Sequence, residues 1–189
     1  MPNLIVLEVI KDLPISFEVF SDDFSEMKRQ ALKIKNWGKN VNVKIPITNT
    51  KSQSAVPLIK ELLSEGVKLN VTAIFTESQT EELREVMTSK DDVIVSVFAG
   101  RIADAGVDPI PLMTKTVKLY KDLKLAKVLW ASPREVLNIY QAEDCGCHII
   151  TVTDDLIKKL SLRGKDLGQF SLETVKMFYD DATKAGFNL

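Results

Sequence analysis

The chain has 189 residues, 45% hydrophobic and 27% charged, which is enough apolar material for one globular domain with its own core. Lys and Arg number 25 against 26 Asp and Glu, and a net charge of -1 offers no basic face to nucleic acid or an anionic membrane. No stretch approaches the roughly 20 apolar residues of a membrane span, and Met1-Pro2-Asn3 lacks the basic start of a signal peptide, so a cytoplasmic protein is expected.

The first expected element is a short helix over Leu4–Lys11, ahead of Pro14. A strand over Ile15–Phe20 follows, then a helix over Ser25–Lys35 with Asp22, Asp23 and Ser25 as available N-caps. The rhythm repeats with a strand at Val41–Ile47 and a helix at Ser54–Glu65, for which Gly66 is a natural C-cap. Next come a strand at Lys68–Ile74, a helix at Glu77–Met87 and a strand at Val93–Phe98. The last expected elements are the helix Leu112–Leu123, the strand Lys127–Ala131, the helix Arg134–Glu143, the strand His148–Val152 and a helix near Leu172–Ala185. Strands alternating with helices imply βαβ units and a parallel sheet, an α/β fold. No linker composition interrupts the rhythm, so residues 1–189 read as a single domain. Right-handed crossovers permit either an open doubly wound sheet or a closed β/α barrel. The barrel is favoured because no glycine-rich phosphate loop follows any strand.

The face pattern of the strands points the same way. Side chains along a strand alternate between faces. In Val41–Ile47 the odd positions are apolar, while Asn42 and Lys44 point to the opposite side. Parallel strands covered on both faces normally read as continuous apolar runs, so a lysine there is a costly exception. The split recurs: Ser16 and Glu18 oppose Ile15, Phe17 and Val19; Asn70 and Thr72 oppose Leu69, Val71 and Ala73; Ser96 and Phe98 oppose Val93, Val95 and Val97. Ser132 and Arg134 follow directly on the fifth strand. The carboxyl ends of barrel strands are where such folds build their sites. Taken singly, Thr72 or Ser96 is an ordinary hydroxyl satisfied on nearby backbone, and Lys44 with Glu18 is a structural ion pair. Their recurrence over several strands is what suggests chemistry.

A lysine in apolar surroundings can act as a neutral amine that attacks a ketone. Glu18, working through a bound water, suits general acid/base duty. Asn70 and Thr72 can orient substrate hydroxyls and that water, while Arg101 and Arg134 suit a substrate phosphate. Cys145 and Cys147, separated by Gly146, have the wrong spacing for a redox pair or a zinc knuckle and read as reduced thiols beside His148. No metal-ligand cluster and no Ser/His/Asp set is legible, so a covalent mechanism without metal or cofactor is expected.

At these residues the chain resembles the transaldolase family, which includes the fructose-6-phosphate aldolase-like members, from about Pro14 to the last helix. The strongest pieces are Val43-Lys44-Ile45-Pro46-Ile47-Thr48, Glu65-Gly66-Val67-Lys68-Leu69-Asn70-Val71-Thr72 and Ser96-Val97-Phe98-Ala99-Gly100-Arg101-Ile102. Trp130-Ala131-Ser132-Pro133-Arg134 resembles a variant of the family's Ala-Ser-Phe-Arg, with Pro133 in place of the aromatic residue. The resemblance implies a TIM (β/α)8-type barrel with Lys44 as the Schiff-base lysine and Glu18 and Thr72 holding the catalytic water. It further implies that Asn70, Ser96 and Phe98 meet the sugar chain and that Arg101, Ser132 and Arg134 bind the phosphate. Glutamate at position 18 resembles true transaldolases; the aldolase branch typically carries glutamine. The implied reaction moves a dihydroxyacetone unit between sugar phosphates, as in the pentose phosphate pathway, within a homo-oligomer.

One departure accompanies the match. The family opens with a strand bearing a catalytic aspartate and a second ending in Thr-Thr-Asn-Pro, and this sequence has neither. The expectation is a barrel N-terminally truncated to about six strands where closure takes eight, impaired unless a partner chain supplies the missing wall. Two further readings stay open: a non-catalytic relic that binds sugar phosphates or assembles with another chain, and a Schiff-base aldolase releasing free dihydroxyacetone.

Overall fold

Six runs of β-branched and apolar residues become six strands in the computed structural model, which describes residues 3–187. They are β1 (Ile15–Glu18), β2 (Val41–Pro46), β3 (Leu69–Ile74), β4 (Val93–Val97), β5 (Lys127–Trp130) and β6 (Ile149–Ile150). Every neighbouring pair is parallel, and the spatial order is β1-β2-β3-β4-β5-β6. That order never reverses. Doubly wound sheets change direction at a switch point, so the monotonic order selects the barrel sense of winding. Among the described residues β6 does not close onto β1, and the result is a half-barrel with helices outside.

The helices are α1 (Asn3–Val9), α2 (Phe24–Lys35), α3 (Val56–Ser64), α4 (Glu77–Glu85), α5 (Ala99–Asp104), α6 (Ile110–Tyr120), α7 (Leu137–Asp144), α8 (Asp154–Lys159) and α9 (Leu167–Lys184). α2 starts where the Asp23 carboxylate accepts from the Glu26 amide at 2.9 Å, satisfying one orphan donor of the first turn. It buries Met27, Ala31 and Ile34, one stripe at helical spacing. α4 starts with a capping box in which Thr76 and Gln79 satisfy each other's backbone amides. α3 stops at Gly66, whose φ of 67° is the left-handed turn that glycine adopts without cost. The expected strands end one or two residues early, except β3, which ends at Ile74 as expected; α5, α8 and the 3-10 turn Leu160–Leu162 had no counterpart in the sequence reading.

The core lies between the sheet and the helices. Val41, Val43, Ile45, Leu69, Val71, Val93, Val95, Val97, Val128 and Trp130 form its sheet side. β3 breaks the expected alternation. Ala73 takes φ 59°, the register with β4 slips between Val71 and Ile74, and Ile74 rather than Ala73 becomes the buried residue. A bulge of this kind swaps the faces beyond it.

Two compact units are distinguished, Met1–Val152 and Thr153–Leu189. The first holds the sheet and α1 to α7. The second holds α8, the 3-10 turn and α9, which starts where Asp166 accepts from the Gln169 amide at 2.7 Å. No helix among the described residues is long and apolar enough to cross a membrane.

Candidate active site on the inner wall

Most positions that alternate away from the core face one cavity of about 460 Å³, lined from every strand of the sheet; Glu18 is not among its lining residues. Ser16 comes from β1, Asn42 and Lys44 from β2, Asn70 and Thr72 from β3, Ile94 and Ser96 from β4, Leu129 from β5 and Ile149 from β6. A single cavity touching all six strands requires the sheet to curl around it. Its wall is divided. The β1 to β3 side is polar, whereas Ile94, Leu129 and Ala131 form a small apolar cluster with Phe98 and Ile149 on the other side.

Lys44 enters from β2 while its backbone neighbours Val43 and Ile45 are fully buried in the core. Its ammonium lies 3.2 Å from a Glu18 carboxylate oxygen, and the pair sits at matched positions on β2 and β1. The Lys44 side chain is 32% exposed and that of Glu18 45%, so the pair is reachable from solvent through the open side of the half-barrel. Asn70 stands next along the register from Lys44. Its amide nitrogen donates to Ser16 Oγ at 2.9 Å, and its oxygen accepts from Ser96 Oγ at 2.7 Å. This three-residue bridge over β1, β3 and β4 fixes the orientation of a side chain that is 7% exposed.

Thr72 is different. It is 2% exposed, lines the cavity, and its hydroxyl has no hydrogen-bond partner among the described residues. Buried polar atoms are rarely left so, and an orphan of this kind marks a place for a ligand or water.

The residues proposed for phosphate binding gather less completely. Ser132 lines the cavity and has φ 58°. Its amide donates to Thr151 Oγ1 at 3.3 Å. Neither Arg101 nor Arg134 is among the cavity-lining residues. Arg101, in the first turn of α5, holds its guanidinium 5.2 Å from the centroid of the Phe98 ring. Arg134 is engaged by Asp104: its Nε donates to both carboxylate oxygens at 3.1 and 3.0 Å, and Nη2 donates at 2.5 Å. The two loops also touch through backbone. The Gly100 amide donates to the Ala131 carbonyl at 3.1 Å, and a Cβ on Gly100 would lie 1.4 Å from the Ser132 carbonyl oxygen. The glycine is required for that approach.

Sequence reasoning gave no role to Ser16 or Asp104. Ser16 carried the right signal, a polar inward position two residues before Glu18. Asp104 had none, because its partner is 30 residues away. Cys145 and Cys147 are free thiols, and burial pushes the Cys147 thiol up to about 12. His148 accepts the Val128 amide on Nδ1 at 3.1 Å.

A monotonic parallel half-barrel whose lysine, carboxylate, amide and hydroxyls converge on the inner wall defines a β/α-barrel-type chain with a polar inner site. The family model described as transaldolase/fructose-6-phosphate aldolase matches residues 4–189, and the chain belongs to that family. A probable transaldolase of Bdellovibrio bacteriovorus is 29% identical over 187 residues, covering 97% of this chain and 80% of the relative. The probable transaldolase 2 of Listeria monocytogenes is 34% identical over 161 residues, covering 81% and 70%. A probable transaldolase of a Thermoanaerobacter species is 29% identical over 191 residues, covering 97% and 82%.

Proposed function

We propose that the chain is a transaldolase-like, cytoplasmic enzyme that carries a dihydroxyacetone unit between sugar phosphates on Lys44. The observation that carries the reading is the contact of the Lys44 ammonium with Glu18 at 3.2 Å, with Lys44 lining the same cavity as the partnerless Thr72 hydroxyl. Glu18 takes a proton from the ammonium, and the freed amine adds to the ketone carbon of the donor. Glu18 returns that proton to the carbinolamine hydroxyl, which leaves as water and gives an iminium, so that Glu18 is a carboxylate again. The donor's C4 hydroxyl then gives its proton to Glu18 through a water held at Thr72. The C3–C4 electrons move into the iminium as the bond breaks, leaving an enamine and a free aldose phosphate. Attack of the enamine on an acceptor aldehyde and hydrolysis of the new iminium complete the transfer and restore the amine. Asn70 and Ser96 hold the sugar hydroxyls, with Phe98 beside them, and Ser132, Arg101 and Arg134 hold the phosphate.

Homo-oligomer formation belongs to the same proposal. It is supported by the outer edges of β1 and β6, which have no strand partner among the described residues. α9 adds exposed Val175, Phe178 and Tyr179.

Borohydride reduction in the presence of fructose 6-phosphate tests the reading. A stable adduct on Lys44, absent from Lys44→Met, is expected; an unlabelled Lys44 would sink it. The open, one-third exposed Lys44 favours a second reading, a sugar-phosphate-binding chain without turnover. Adduct formation without transfer to erythrose 4-phosphate would select it. Release of free dihydroxyacetone would instead indicate an aldolase, the other activity in the family's description.

A further inference from the structure

We infer that Asp104 is a positioning residue for the phosphate grip: it holds one edge of the Arg134 guanidinium so that the other edge faces the substrate phosphate. The inference rests on the proposed function and extends it to a residue outside the inner wall. A guanidinium offers five N–H donors on a rigid plane, as two forks that can each take a bidentate anion. Asp104 occupies the fork made by Nε and Nη2, at 2.5 to 3.1 Å. Nη1 has no partner among the described residues, so the Nη1/Nη2 end remains open to a second oxyanion.

Stability is only part of the pair's role. The side chains are 51% and 49% exposed, so solvent screens even this two-point contact and limits what it adds to folding. It does join the two segments from which the phosphate residues come. Arg101 lies on α5, which Asp104 ends, while Ser132 and Arg134 lie just after β5. The same segments are already locked by the Gly100 amide on the Ala131 carbonyl. Backbone contact sets their spacing, and the ion pair sets the direction of the arginine. A side chain held in one geometry loses less freedom on binding, which is the advantage of a preorganised anion site.

The test compares ligands with and without phosphate. Half-saturating fructose 6-phosphate for borohydride trapping at Lys44 is expected to rise about tenfold in Asp104→Ala, the loss of one well-placed charge-assisted contact. Half-saturating dihydroxyacetone should stay unchanged. Arg134→Ala should match the effect, and the double variant should add nothing further, because both substitutions remove one interaction. An unchanged fructose 6-phosphate value, or an equal rise for both ligands, overturns the inference. Calorimetric titration with inorganic phosphate in a Lys44→Met background reads the grip without any Schiff base. There Asp104→Ala should weaken phosphate binding by the same factor. Equal binding with and without Asp104 overturns the inference even if no adduct ever forms at Lys44. Failure of dihydroxyacetone trapping in the unsubstituted chain counts against the Schiff-base reading alone.

Discussion

Thr72 holds one buried hydroxyl without a hydrogen-bond partner among the described residues. Leaving that buried atom without a partner costs about 1–3 kcal/mol of desolvation. Thr72→Val keeps the shape and removes the hydroxyl, so urea denaturation should find it as stable as the parent or about 1 kcal/mol more so. Turnover should nevertheless fall by about 100-fold, because general acid/base steps through a positioned water contribute on that scale. A variant that loses stability and keeps turnover would mean that the hydroxyl serves packing. Cys147 behaves oppositely. Its thiol, pushed up to about 12 by burial and by neighbouring Cys145, is almost entirely protonated at pH 8. Iodoacetamide should therefore leave Cys147 unlabelled in the native protein and modify it readily after unfolding, as peptide mass mapping would show. Much of the residue-scale picture was legible. Strand alternation alone put Lys44, Asn70, Thr72 and Ser96 on the inner wall, and they line it. The Asp104–Arg134 pair was not legible, since local pattern carries no signal across 30 residues.

At the scale of elements, strain gathers at the carboxyl ends of β3 and β5. Ala73 and Ser132 both hold positive φ, a region that costs a residue with a Cβ roughly 1 kcal/mol or more. Ala73→Gly should raise the urea-derived stability by about 1 kcal/mol if the relieved strain outweighs the added freedom of the unfolded chain. A destabilised variant would show that Ala73's methyl packing matters more than its backbone. Gly100 marks the reverse case. Gly100→Ala sets a methyl against the Ser132 backbone, and the loops must part; a loss of about 3 kcal/mol or more is expected from chemical denaturation. The bulge escaped the sequence reading because Leu69 to Ile74 is uniformly strand-like, and nothing in Ala73 announces a left-handed turn. α5 escaped for a related reason. Its N-cap, Phe98, makes no side-chain cap bond, and Ala99–Asp104 is only six residues, too few for helical periodicity to register. Helices with capping signals fared better: Asp23 and Gly66 both stand where the composition placed them.

Over the whole molecule, alternation of strands and helices announced a parallel sheet, and the absent glycine-rich loop together with the polar inner faces favoured barrel winding over a doubly wound sheet. The spatial order β1 to β6, without reversal, bears that out. The unpaired edges give the proposed self-association a measurable form. Sedimentation equilibrium should return a multiple of 21.1 kDa at micromolar concentration, and a single 21.1 kDa species would remove the homo-oligomer from the proposal. The divided lining of the hollow constrains what could lie in it. A molecule with oxygens along one edge and bare C–H bonds along the other would set the oxygens against Asn70 and the hydrocarbon edge against Leu129. Turned over, it would press hydrated oxygens onto leucine and isoleucine, losing water with no replacement. The hollow thereby favours one orientation of such a guest over the other.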